Sequence, residues 1–197
     1  MMTDVVRFPP PSRPKKDATA YVGMVIFLGG WAMMFAGLFF AYGAVRLKAA
    51  TWPPDGELAL PHALPFLNTF ILLASSAALV LGLRAVRQAQ PRALTRWLST
   101  AIVLGAAFFA LQVIVWRRMW LDGLRPDSGI YGSVFYALTA FHALHVLVGL
   151  VGLTTLLPRA LRAEFSVARH TAVRMWAMFW HFVDAVWLVM FVTVYVL

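Results

Sequence analysis

The stretch that decides the fold is Tyr131–Leu150, YGSVFYALTAFHALHVLVGL, which lies inside a run without Asp, Glu, Lys or Arg from Ser128 to Pro158. A helix needs about 20 mainly apolar residues to cross roughly 30 Å of hydrocarbon, and this run exceeds that. Its apolar residues are continuous, so no polar face is left for water. The same pattern recurs on either side. No charge falls between Asp17 and Arg46, between Glu57 and Arg84, or between Arg96 and Arg117, and the run after Arg174 is broken only by Asp184. These runs predict helices at about 20–45, 64–84, 96–118, 130–158 and 171–196. The expected fold class is all-α: a polytopic membrane protein built as a bundle of five transmembrane helices.

Composition agrees. Of 197 residues 61% are apolar and 13% charged, and the mean hydropathy is +0.76; an average soluble domain carries about 25% charged residues. The net charge of +9 does not point to nucleic acid, because the basic residues sit between the apolar runs. Cysteine is absent, which excludes disulfides, thiolate metal ligands and thiol nucleophiles. Residues 1–18 hold Pro9, Pro10, Pro11 and Pro14 among Arg7, Arg13, Lys15 and Lys16. They are expected to form a disordered tail, with 19–197 as the membrane domain. The run behind the tail is long enough to span, which argues against a cleavable signal peptide.

Loop charge sets the expected orientation. One side carries the four basic residues of the tail, then Arg84, Arg87, Arg92 and Arg96, then Arg159, Arg162, Arg169 and Arg174. The other carries Arg46, Lys48, Arg117, Arg118 and Arg125. Twelve against five predicts the N-terminus inside and the C-terminus outside.

Ionisable groups inside a span are costly and ask for a partner or a function. His142 and His145 lie three residues apart in the fourth span. His181 and Asp184 share that spacing in the fifth, and Gln112 lies in the third. A short connection lets the last two spans pack antiparallel, so the four groups could meet at similar depth, with a hydrogen bond expected from His181 or Asp184 to the His142/His145 face. Three chemistries suit such a cluster: a haem or metal site from paired histidines, a proton relay, or a buried polar cluster that fixes how helices dock. Spacing alone does not choose among them. Trp52, Trp97, Trp116, Trp120 and Trp176 fall near span ends, where tryptophan anchors at the interface. Gly23, Gly29, Gly30 and Gly37 allow close helix approach in the first span, against a neighbour helix or a partner. Arg159 and Arg162 are candidates to clamp a lipid phosphate.

Several runs carry a family resemblance. Tyr131–Leu150, with His142 and His145, resembles the signature helix of cytochrome c oxidase subunit III. WHFVDAVWL (Trp180–Leu188) is similar to that family's last-helix motif. Trp52-Pro53-Pro54, LNTFILLASS (Leu67–Ser76) and LGAAFFALQ (Leu104–Gln112) resemble its intervening elements, all in family order from about Tyr21 to Leu197. The likeness is to the five-helix form that lacks the first two of seven helices. It implies a subunit of a respiratory haem-copper terminal oxidase in a bacterial cytoplasmic membrane, in a complex that reduces O2 to water and pumps protons. It further implies no metal and no cofactor in this chain, with haems and copper in partner subunits I and II. The chain would pack on subunit I, bind phospholipid and act as a non-catalytic scaffold. The sequence also departs from the pattern: the family's two intramembrane glutamates fall on Trp31 and Val115, leaving Asp184 as the acid within a span. Two alternatives remain, a subunit III relative attached to a nitric oxide reductase and an autonomous intramembrane transporter or enzyme using the His/Asp set.

Overall fold

In a computed structural model, which describes residues 14–52 and 63–196, the chain forms five long helices and no strand. They are α1 (Pro14–Lys48), α2 (Ala63–Arg87), α3 (Pro91–Leu121), α4 (Ile130–Leu161) and α5 (Thr171–Met190), and α5 continues as a π-helical turn, Phe191–Val196. Each is long and apolar enough to cross a membrane. Helices are the expected answer in lipid, where every backbone N–H and C=O must be satisfied within the segment. α1 begins at Pro14, so residues 14–18 of the expected tail are helical; residues 1–13 of that tail lie outside the described residues, as do Pro53 and Pro54.

Three of the helix ends share one solution. The N–H of Ala89, Gly123 and Ala163 each bonds the carbonyl three residues back, and the next N–H bonds the carbonyl five back. That is the Schellman arrangement, whose central residue takes a left-handed conformation. Gly123 (φ 101°) adopts it freely, while Ala89 (φ 57°) and Ala163 (φ 53°) adopt it against the usual steric preference. The resulting tight turns hold α2 antiparallel to α3 and start the short connections from α3 to α4 and from α4 to α5.

Helices α2 to α5 form the bundle proper, and α1 lies along α5 and the edge of α4. The packing depends on size complementarity. Trp180, fully buried, fills a hole between Gly105 of α3 and Gly149 of α4, where an added Cβ would stand 2.6 and 2.7 Å from the indole. Trp176 covers Gly152 in the same way. Buried polar side chains then stitch neighbours: Ser75 donates to the Ala101 carbonyl (2.8 Å), Trp187 to Thr69 (2.9 Å) and Trp116 to Thr139 (3.0 Å). Of the five tryptophans expected at the interface, Trp120 is the exposed one, whereas Trp52, Trp97, Trp116 and Trp176 are half-buried against the bundle.

α1 is held at both ends and by a mid-span aromatic contact of Trp31 and Phe35 with α4. At one end Asp17 accepts from Thr171, and the Arg174 guanidinium lies over the Tyr21 ring. At the other, Tyr42 and Arg46 both donate to the Thr193 carbonyl at 3.2 Å, inside the π-helical turn. Between them its apolar stretch is 6% buried, against 33–50% in the other four helices.

Candidate functional site

The polar side chains expected to meet in one cluster occupy three separate places. His142 is fully buried, its ring 5.3 Å from Trp187 and 6.0 Å from Phe108 between centres, and neither ring nitrogen has a hydrogen-bond partner. Gln112, one turn beyond Phe108 on α3, belongs to this region. Its amide faces the Tyr195 hydroxyl, the two short of hydrogen-bond geometry.

His145 turns toward α1. Its Nδ1 donates to the Phe141 carbonyl at 2.7 Å, because a carbonyl can only accept, and its ring stands among Trp31 (4.3 Å), Phe141 (4.8 Å) and Phe35 (5.1 Å). Three residues on a helix are about 60° apart around the axis. His142 and His145 therefore share a side of α4 and still meet different neighbours.

His181 and Asp184 face α2. The hydrogen bond expected from α5 to α4 goes instead to Ser76, whose hydroxyl lies 3.3 Å from His181 Nδ1 and is also the hydrogen-bonding neighbour of the Asp184 carboxyl. The reason is the tryptophan packing: the sector of α5 that faces α3 and α4 is taken by Trp176 and Trp180, which rotates the polar pair toward α2. Ser76 is the residue that sequence reading passed over. Its signal was a serine pair, Ser75-Ser76, in the middle of an apolar run, where each hydroxyl needs a partner.

Among the described residues no group of three or more His, Cys, Asp and Glu is arranged to hold a metal ion. Val115 is fully buried in the core, and Trp31 is half-buried at the α1–α4 contact.

At the end of the molecule where α1 and α5 begin, Arg159 and Arg162 share Glu164, with N–O distances of 3.4 and 4.0 Å. Arg159 also lies over Phe165. Arg159, but not Arg162, lines a cleft of about 310 Å³ together with Asp17, Arg169 and Thr171.

One face of α1 is left bare by the described residues. A Cβ added at Gly23, Gly29, Gly30 or Gly37 would meet nothing within 4 Å, so these glycines serve no close approach among the described residues. Gly23, Gly30 and Gly37 recur every seven residues, and so do the exposed Ile26, Met33 and Phe40. Alternating small and large residues in heptad register form the holes and knobs of a helix–helix seam.

Sequence comparison agrees with this architecture. The chain matches the family described as Cytochrome c oxidase subunit III over residues 16–197. It is 39% identical over 176 residues to a protein of Nocardia farcinica named Probable cytochrome c oxidase subunit 3, covering 88% of this chain and 86% of that one. A Mycobacterium leprae protein of the same name is 37% identical over 175 residues, with the same coverage. Cytochrome c oxidase subunit 3 of Thermostichus vulcanus is 34% identical over 178 residues, covering 89% and 86%. A five-span helical membrane bundle with this motif order belongs to the cytochrome c oxidase subunit III family, the accessory subunits of haem-copper oxidases.

Proposed function

We propose that this chain is the non-catalytic subunit III of an aerobic respiratory oxidase in a bacterial cytoplasmic membrane, packed on subunit I and scaffolding the complex while partner subunits I and II reduce O2 and pump protons. Haems and copper belong to those partners; this chain's His142, His145, His181, Asp184 and Gln112 are a structural polar set. The single observation that carries the reading is the bare, heptad-patterned face of α1, which meets no neighbour among the described residues and suits a partner helix. Trp31 and Val115, where the family has acids, support packing over proton handling. Phospholipid is the second proposed ligand: Arg159, with Arg162 nearby, would meet a headgroup phosphate at the α4–α5 connection.

The test fills the seam. Gly30→Leu adds bulk where nothing among the described residues stands within 4 Å, so the full-length variant should reach the membrane at normal abundance. Its stoichiometry in the purified oxidase should fall several-fold, since a close helix contact is blocked. Undiminished stoichiometry would remove the α1 face as the docking surface.

A further inference from the structure

Four ionisable side chains stand near the middle of a span. His142, His145 and Asp184 are buried; among the described residues His181 is the one that reaches the surface, at the seam between α2 and α5. The Ser76 hydroxyl, which can donate or accept, stands 3.3 Å from His181 Nδ1 and takes up that ring nitrogen. Nε2 is then the nitrogen left over, a donor or an acceptor according to the tautomer. Nε2 has no bond among the described residues, and it is not sealed in as both nitrogens of His142 are. Hydrocarbon tails offer it no hydrogen-bond partner, and an unsatisfied polar atom at this depth is costly. α1 does not supply one: between Tyr21 and Tyr42 its one side chain with a polar hydrogen is Trp31, which stands against His145. Small exposed residues, Ala77 on α2 and Ala185 one turn after His181, flank the spot. They leave room for close approach of another helix.

We propose that the α2–α5 seam at His181 docks a transmembrane helix of a neighbouring oxidase subunit, one whose side chain presents a hydroxyl or an amide, each able to donate and to accept, to Nε2 of His181. The proposal rests on the reading of this chain as an oxidase subunit and adds to it a polar contact, separate from the apolar face of α1.

The absence of cysteine allows a clean test. Ala185→Cys, carrying a benzophenone label, is assembled into the complex and irradiated. The expected product is a cross-link to a transmembrane segment of another subunit. Alongside it, His181→Leu should leave the complex roughly three- to thirty-fold faster on detergent dilution than the wild type, the range one intramembrane hydrogen bond supports. His181→Gln, which keeps an acceptor, should stay close to the wild type. Cross-links to lipid alone, or equal dissociation of His181→Leu and His181→Gln, overturn the seam while leaving the subunit reading intact. An unlabelled chain that never co-purifies with a haem-bearing partner overturns the subunit reading itself.

Discussion

Trp31 stands edge-on to His145, 4.3 Å between ring centres, at a position where the family resemblance places an acid. With Nδ1 committed to the Phe141 carbonyl, His145 keeps Nε2 as an acceptor facing this aromatic pocket. A carboxylic acid at position 31 therefore finds a partner already in place. Trp31→Glu should cost less than about 2 kcal/mol, because a neutral acid can donate to the imidazole instead of standing alone in lipid. Combined with His145→Leu the cost should exceed the sum of the single changes by about 1 kcal/mol or more. Unfolding of the full chain in mixed micelles gives the double-mutant cycle, and additivity within about 0.5 kcal/mol would mean the two residues do not pair. The sequence told that His142 and His145 are intramembrane and on one side of their helix. It could not tell that 60° of rotation sends one toward Trp187 and the other toward Trp31, because spacing defines a face and not what packs on it. Ser76 was missed for the same reason: its importance comes from being opposite His181 and Asp184 in space, 105 and 108 positions along the chain.

At the scale of elements, the five spans were legible because charged residues cannot enter hydrocarbon, and the runs between them count the helices directly. The ends were less legible. α3 begins at Pro91, ahead of Arg92 and Arg96, and α4 runs to Leu161, past Arg159. Helices continue beyond the apolar core, where long basic side chains reach the headgroups. Among the glycines inside helices are two kinds that sequence does not distinguish. Those of α1 are open to the outside, while Gly105, Gly149 and Gly152 receive tryptophans of α5. Gly149→Ala should destabilise the chain by about 1–3 kcal/mol, the usual range for overpacking. Trp180 is fully buried and cannot yield toward Gly105, where the same indole is equally close. Gly29→Ala should change stability by less than about 0.5 kcal/mol. Denaturant unfolding of both variants compares them, and equal effects would deny the tryptophan-in-glycine packing its role.

For the whole molecule, we propose the orientation by combining loop charge with the way the helix ends pair. Asp17 with Thr171 and Tyr21 with Arg174 put the start of α1 at the same end as the α4–α5 connection. Tyr42 and Arg46 with Thr193 put the end of α1 beside the end of the chain. The alternation that the charge count assumed is thus the alternation of the fold, and of the fifteen basic residues within the described segments ten lie at one end. The five at the other end are partly occupied: Arg46 caps the Thr193 carbonyl and lies 6.0 Å from the Trp52 ring centre, and Arg125 lies over Trp120. Reporter fusions at Gln90 and Asp127 should accordingly read opposite sides, Gln90 inside and Asp127 outside. Moving charge should shift the balance: replacing Arg84, Arg87, Arg92 and Arg96 by glutamine leaves eight basic residues facing five, and mixed orientation of the Gln90 fusion is expected. An unchanged single orientation in that variant would mean that assembly with partner subunits, and not loop charge, fixes which way this chain points.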